Sequence, residues 1–389
     1  MKIAVITGIN IPSLYAHSFN VMKMANGFHS LGNSVEVLTA DSLRVRINRY
    51  RIKDVTKHYG VNVNMQVSYF KPSFRNYISG NTNSDPIFCD RVMKYIQRQK
   101  YDFVYCRNYV IPYMAARAGI PTFMETHTTA YDNVHLKRIY EVAKEDAFKG
   151  IVTIHDKIKS EHIKRGVPEN KILVLEDGVD MERFEIEDDP VIWKKRLGLY
   201  AGKKYAVYCG HLYEDKGIEI ILQSAAELSS NRRIQFLLVG GFEKDRRYWE
   251  RYCKSRGICN VMFTGFISNE IIPQYLKAAD CLLLPYKRNM KYQKMDIHTT
   301  SPLKLFEYMA AKRPIVATNI PTVSKILKDG INSILVNTDS IKDFSTAILK
   351  AIFQEESKVL GDNAYRDVMQ YTWKERCKAI LRLFQGQKV

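Results

Sequence analysis

Residues 301–321 read SPLKLFEYMAAKRPIVATNIP, a helix-period segment that runs within a few residues into an apolar strand, PIVATN (314–319). Ser301 suits an N-cap and Pro302 the first helical position, so the spacing predicts a helix opening here. At 3.6 residues per turn Leu303, Glu307, Ala310 and Ala311 share one face, and Lys304, Tyr308 and Lys312 another. A carboxylate on the apolar face is costly unless something pairs with it. Pro302 has no N–H, so the free donors at the helix start are the amides of Leu303 and Lys304. With the positive end of the helix dipole behind them and the Lys304 side chain beside them, they form a natural seat for phosphate. Glu307 lies one turn deeper. An ionised carboxylate only accepts hydrogen bonds and can take both hydroxyls of a ribose. The alternative partner is a neighbouring Lys or Arg.

Working outward, strands and helix-period segments alternate almost from end to end, the pattern of doubly wound α/β layers. KIAVITGI (2–9), a helix from about Phe19 to Leu31, and SVEVLTA (34–40) make one βαβ unit. VNVNMQVSYF (61–70), YDFVYC (101–106), PTFMET (121–126), GIVTI (150–154) and KILVLEDGVD (171–180) continue the first series. The pattern breaks into a charged stretch from about 181 to 203, where an interdomain linker is expected to begin. A second series follows: YAVYCG (205–210), IQFLLVGG (234–241), VMFTGF (261–266), DCLLLPY (280–286), PIVATN and SILV (333–336). We therefore expect an N-terminal Rossmann-like domain over 1–180 and a C-terminal one over 181–369, with a last helix at about 370–389 packing back on the first. Open α/β sheets bind ligands beyond the carboxyl ends of their strands, so two in tandem are expected to face each other across a cleft holding the site.

The chain has 389 residues and a formal net charge of +18, which calls for an anionic partner: nucleic acid, a membrane surface or phosphate-bearing ligands. Between Arg44 and Arg75 eight Lys/Arg stand against the single acid Asp54, interleaved with Tyr50, Tyr59, Tyr69, Phe70 and Phe74. Cations with interleaved rings suit the headgroup level of an anionic membrane, although a solvated basic face would read the same way. No apolar run is long enough to span a bilayer and the opening lacks the marks of a signal peptide, so a cytoplasmic protein is expected. The seven cysteines form no C-x-x-C pair. Buried free thiols are expected, with Cys106, Cys209 and Cys281 in apolar runs.

A second chemical stretch is YCGHLYEDKGIE (208–219). A strand ends at Gly210, a helix starts near Gly217, and His211 and Lys216, five residues apart, can both reach one diphosphate from the turn between them. Taken in order, GHLYEDKG, LEDGVD, VMFTGFISNEIIPQYLKAADCLLLPY and SPLKLFEYMAAKRPIVATNIP resemble the motifs of the family 4 retaining glycosyltransferases, whose fold is GT-B. AHSFNVMKMANGFHSLGNSVEVLTA (16–40) and FMETHTTAYDN (123–133) resemble the family's first βαβ unit and its strand ending in a histidine. The resemblance implies that Glu307 is the second Glu of an E-x7-E motif and holds the donor ribose. Lys216 then binds the donor diphosphate, and His127 lies near the reacting centre. Asp280 and Pro285 flank a strand, and we read both as structural.

Three positions depart from the family pattern. Thr299 stands where the first Glu would offer a carboxylate to the donor sugar. His211 replaces a common Arg, so its contact with diphosphate depends on protonation. Ala16 and His17 stand where Gly-Gly often lies in the first loop, on the acceptor side, to which Arg107 after YDFVYC also belongs. The expected donor site is thus Gly210, His211, Lys216, Thr299, Ser301, Leu303, Lys304 and Glu307, with His127, Lys216 and Glu307 carrying catalysis. Glu125, two residues before His127, is expected to point away from it.

The resemblance implies transfer of a sugar from a nucleotide diphosphate to an acceptor hydroxyl, without cofactor or metal. The chain has no D-x-D, and its basic groups can do the metal's work on the leaving diphosphate. A saccharide or lipid-linked acceptor in cell-envelope synthesis is expected, at the inner membrane face. The enzyme alternative is a GT-B nucleotide-sugar 2-epimerase, which needs no acceptor. A basic nucleic-acid-binding protein would explain the charge, but the binding motifs of that class are missing, and no G-x-G-x-x-G marks an NAD enzyme.

Overall fold

The computed structural model describes residues 1–61, 65–128, 134–287, 303–337 and 340–387. Seven strands form the first sheet: β1 (Lys2–Thr7), β2 (Ser34–Ala40), β3 (Gln66–Phe70), β4 (Phe103–Arg107), β5 (Thr122–Glu125), β6 (Phe148–Thr153) and β7 (Ile172–Val174). Six form the second: β8 (Lys204–Cys209), β9 (Ile234–Val239), β10 (Val261–Gly265), β11 (Cys281–Leu284), β12 (Ile315–Thr318) and β13 (Ile334–Val336). The orders are β3-β2-β1-β4-β5-β6-β7 and β10-β9-β8-β11-β12-β13, with every pairing parallel. Helices cover both faces, so central strands are mostly apolar; all six residues of β9 are buried, Gln235 among them. Both sheets are doubly wound, and each reverses direction at one point, between β1 and β4 in the first and between β8 and β11 in the second. A ligand crevice opens at such a point, beyond the strands' carboxyl ends. The loops following β8 and β11 carry Gly210–Gly217 and Pro285–Tyr286; Arg107 is the last residue of β4, and His127 follows β5.

The chain divides into two compact units, Met1–Asp177 with Trp373–Val389, and Gly178–Thr372. The closing helix, Trp373–Phe384, belongs to the first unit and lies along the helix Ala16–His29. Gly27 permits that approach: a Cβ there would stand 2.8 Å from Cys377 Sγ and 2.9 Å from the Trp373 carbonyl oxygen. The seven cysteines are all free, six of them buried and Cys259 exposed.

Three local differences from the sequence reading have physical causes. The first helix begins at Ala16 rather than near Phe19, because its early buried positions, Ser18 and Asn20, are polar and invisible to apolar periodicity. Ala16 and His17 therefore sit in a helical first turn, not in a loop. KILVLEDGVD keeps strand geometry only over Ile172–Val174, because the chain turns at Asp177–Gly178 into the second unit. The charged stretch after it holds a short helix, Pro190–Arg196, capped by Asp189.

Candidate functional site

In the C-terminal unit, β8 delivers the chain to Gly210 (φ 143°), where a Cβ would lie 2.8 Å from Lys304 Nζ. Gly217 closes the turn with φ 73°, and a Cβ there would overlap the Pro285 carbonyl oxygen at 1.4 Å. Both positions have the positive φ that favours glycine, and at Gly217 the backbone is also pressed against the end of β11. The helix Leu303–Ala310 is held to β8 by Tyr308, whose hydroxyl accepts the Cys209 N–H at 2.7 Å. Lys304, in its first turn, donates to the Tyr208 hydroxyl at 2.7 Å and lies 4.0 Å from that ring's centre. Tyr208 in turn donates to the His211 carbonyl at 2.7 Å.

Lys216 and Lys304 both face the Tyr286 ring, at 5.5 and 5.9 Å. Burial, then the neighbouring charge of Lys216, lowers the Lys304 ammonium to a pKa of about 7. Lys216 is lowered too, by burial, with Asp215 opposing. Its Nζ stands 3.9 Å from Asp215 Oδ2, and neither Asp215 oxygen has a hydrogen-bond partner among the described residues. Two ammonium groups drawn out of water share the nearby Asp215 carboxylate, which does not offset their burial, and a polyphosphate would supply further counter-charge. The His211 ring stacks on Tyr213 (4.9 Å, 13°) and on Phe242 (5.0 Å, 28°).

One turn beyond Lys304, the Glu307 side chain retains 20% exposure and pairs through Oε1 with Arg183 Nη1 at 3.4 Å. Arg183 is fixed by a second hydrogen bond, from Nη2 to the Asn269 carbonyl. The partner demanded by a carboxylate on an apolar face is thus an arginine from the segment that opens the unit. Partly exposed, Glu307 keeps acceptor capacity for a ligand. Leu303 lies beside Lys304 at the helix start, while Thr299 and Ser301 lie outside the described residues. Asp280 is bound by Lys194 Nζ (2.6 Å), Lys204 Nζ (3.0 Å) and the Tyr205 N–H (2.8 Å), a tie between elements and not a ligand for anything outside them.

In the N-terminal unit the centre of charge is Glu125, buried at the end of β5. It accepts from Tyr105 Oη (2.6 Å), Asn20 Nδ2 (3.2 Å), His127 Nε2 (2.6 Å) and Arg376 Nη2 (2.9 Å), with Arg107 Nη1 at 4.0 Å. Burial alone would raise its pKa, but Arg376, the His127 hydrogen bond and Arg107 outweigh burial and hold the carboxyl well below its usual range. The expectation that Glu125 points away from His127 is therefore wrong: residues two apart in an extended chain share a face. Arg107 Nη2 lies 3.0 Å from His127 Nδ1. A guanidinium only donates, so Nδ1 accepts and the proton sits on Nε2, a tautomer assigned from the network. Burial, then Arg107, lowers the imidazole's pKa and keeps it neutral. Both ring nitrogens of His127 are engaged, which removes it as a free acid or base in this arrangement.

His17 reaches the same cluster from the first helical turn. Burial first, then Arg107 and His127, lowers its pKa well below the ordinary value. Its Nε2 and Arg107 Nη1 have no hydrogen-bond partner among the described residues, so they are the open donors and acceptors of this end. Ala16 is exposed beside them. Ligand atoms of Glu125, His127 and Asp177 lie within 4.8 Å of one another, a spacing a metal could use. The donor set argues against it: Glu125 already faces two guanidiniums, and Asp177 accepts Asn20 Nδ2 at 2.8 Å.

Of the expected residues, the structure brings Gly210, Lys216, Leu303, Lys304 and Glu307 together in one unit, and His17, Arg107 and His127 in the other. It adds Arg183, Tyr208, Asp215, Tyr286, Glu125 and Arg376. Arg376 carried a readable signal: it shares a helix face with buried Trp373, Cys377 and Ile380, the same anomaly that singled out Glu307.

Two family descriptions match the chain: "Glycosyltransferase Family 4" over residues 20–183 and "Glycosyl transferases group 1" over residues 203–353. An uncharacterised glycosyltransferase of Methanocaldococcus jannaschii is 21% identical, over 99% of this chain and 98% of that one. The crystal structure of Anabaena HepE in complex with UDP-glucose superposes with a TM-score of 0.71 at 15% identity, covering 99% of this chain and 100% of that one. WaaG, a glycosyltransferase involved in lipopolysaccharide biosynthesis, gives 0.67 at 15% identity, over 99% and 100%. The two doubly wound sheets are those of the GT-B fold, and the chain belongs to the family 4 glycosyltransferases.

Proposed function

We propose that the protein transfers a hexose from a nucleotide diphosphate sugar to an acceptor hydroxyl with retention of configuration. The observation that carries this reading is the pair of part-buried ammoniums, Lys216 and Lys304, over the Tyr286 ring, with Lys304 against Gly210 and one helical turn from Glu307. The ammoniums and the Leu303 and Lys304 amides take the diphosphate, and Glu307, oriented by Arg183, takes the ribose hydroxyls. As the bond from the sugar's anomeric carbon to the phosphate oxygen breaks, charge grows on the leaving diphosphate, where fixed cations stabilise it by several kcal/mol. The acceptor oxygen attacks from the same face, and its proton passes to the departing phosphate, so no side-chain nucleophile is needed. Lys216 and Lys304 do here what a divalent cation does elsewhere, and we assign no metal to the reaction. UDP-glucose in HepE makes UDP-sugars the first donors to try.

We place the acceptor at His17 and Arg107, whose open nitrogens suit a hydroxyl or an anionic substituent, and assign His127 to orienting them through Arg107. The helices Leu43–Arg51 and Phe74–Ser79 bury one residue and none, respectively, and expose Tyr50, Phe74 and Ile78 among cations. That surface, together with the lipopolysaccharide role of WaaG, supports a lipid-linked or envelope acceptor handled at the inner membrane face. Among the described residues no helix is long and apolar enough to cross a membrane.

Titration calorimetry with UDP, GDP and ADP tests the donor assignment. The wild type should bind one of them at least tenfold more tightly than Lys216→Met or Lys304→Met. Glu307→Ala should lose the preference for ribose over 2′-deoxyribose nucleotides; equal binding by all four proteins would sink the reading. Proton NMR of the product anomer decides retention, and turnover in excess chelator decides the metal question.

A further inference from the structure

The first unit holds a cavity of about 330 Å³ away from the residues above, lined by Met22, Ile52, Val55, Thr56, Met65 and Val67, with Arg49, Lys53 and Tyr69 at its rim. Its walls come from the first helix, the end of the Leu43–Arg51 helix, the start of the Val55–Tyr59 helix and the approach to β3. Met22 and Met65 are buried, while Arg49 and Lys53 are exposed. Neither cation makes a salt bridge among the described residues; of the cations between Arg44 and Arg75 only Arg46 does, with Asp41 at 2.9 Å. The Arg49 guanidinium lies 4.4 Å from the Tyr69 ring centre, which holds it over the mouth. The size is at the low end of ligand pockets, roughly 300–1,000 Å³, larger than a phosphate needs.

We propose that this cavity binds a single anionic phospholipid, its phosphate held by Arg49 and Lys53 and the upper part of one acyl chain seated on Met22, Val55, Met65 and Val67. Charge complementarity selects the headgroup, since eight Lys/Arg face one acid over this stretch. The aliphatic side chains in the lining, Met22, Ile52, Val55, Met65 and Val67, give an acyl chain a place below the phosphate, which a nucleic acid lacks. In the same basic stretch Tyr50 (86% exposed) and Phe74 (81%) offer rings to the headgroup level, so the lipid can remain in its leaflet while its phosphate is gripped. The site rests on the membrane-side half of the function proposed above and not on the transfer chemistry.

The probe is a short-chain phosphatidylglycerol below its micelle concentration, titrated into the full chain without nucleotide, against glycerol phosphate and the matching phosphatidylcholine. Saturable binding is expected for phosphatidylglycerol, with both controls at least tenfold weaker. Arg49→Ala/Lys53→Ala and the cavity-filling Val55→Phe should each lower affinity at least tenfold, and Arg75→Ala should change it less than twofold. An unchanged melting transition of the N-terminal unit serves as the check on folding, and Thr56→Phe on the same wall replaces Val55→Phe should the latter fail it. Glycerol phosphate binding as tightly as the lipid, or lipid binding untouched by the filling variants, overturns the proposal. So does an absence of saturable binding in protein that still binds nucleotide, an outcome that leaves glycosyl transfer standing.

Discussion

Lys304 shows how little of a residue's chemistry its letter carries. As a lysine at a helix start it announces a phosphate seat, yet its pKa of about 7 follows from burial against Tyr208 and from Lys216 nearby, neither of which is local in sequence. Because this pKa is depressed below the unfolded value, the folded protein holds fewer protons between about pH 7 and the ordinary lysine range. Folding stability from this group therefore rises with pH across that window. Donor binding has the opposite sign, since a diphosphate favours the charged form and its binding takes up a proton. Affinity for the nucleotide diphosphate should fall above pH 7, by up to about tenfold per pH unit for one linked proton. Calorimetry in buffers of different ionisation enthalpy measures that uptake, and Lys304→Met should flatten the pH profile. Glu307 was legible as an anomaly for the opposite reason: a carboxylate among Leu303, Ala310 and Ala311 demands a partner. That the partner is Arg183, 124 residues away, was not legible, because no periodicity links segments across a fold. Truncating the arginine as Arg183→Met should weaken nucleotide binding roughly tenfold, the worth of a charge-assisted hydrogen bond, and Arg183→Lys should restore part of it.

At the scale of elements, the thirteen strands among the described residues follow from apolar or alternating runs four to ten residues long, and their parallel pairing from the helices between them. What the runs conceal is their ends. The Gly210–Gly217 turn is read from sequence as strand, loop and helix, but its exact path is set by the end of β11. A Cβ at Gly217 would meet the Pro285 carbonyl with no flexible side chain to yield, at a φ of 73°. Gly217→Ala should destabilise the C-terminal unit by about 2–4 kcal/mol, readable as a shift of its melting transition. It should also displace Lys216 and cost donor affinity, whereas Gly198→Ala, at a φ of 68° with open space around it, should cost only the backbone strain.

At the scale of the molecule, the chain returns to where it began. Trp373–Phe384 completes the first unit by laying Cys377 and Trp373 against Gly27 and by bringing Arg376 to Glu125, 251 residues upstream. Arg376 also donates to the Leu175 and Glu176 carbonyls, so the last helix clamps the end of the first unit as well as its central carboxylate. Removing one partner of a buried pair leaves the other charge uncompensated, and Arg376→Met should destabilise the N-terminal unit by roughly 3–5 kcal/mol. The pH dependence has a definite sign. Glu125 has a depressed folded pKa, so its contribution is present above the unfolded carboxyl range and is lost as pH falls through the folded value. In Arg376→Met that value rises, and acid unfolding should begin at a less acidic pH.

The sequence by itself determined the two doubly wound sheets, the helix that carries Lys304 and Glu307, the glycine-bounded turn before Gly217 and the family to which these belong. Each is written in short-range terms: apolar period, capping residues and motif spacing. Only the tertiary structure decided which charges meet. It engaged both nitrogens of His127 and turned Glu125 toward that ring. It bound Arg376 to Glu125 and Arg183 to Glu307, and crowded Lys304 against Lys216. Secondary structure is dictated by neighbours along the chain, whereas protonation and ion pairing depend on burial and on distances through space, which exist only once the chain has folded.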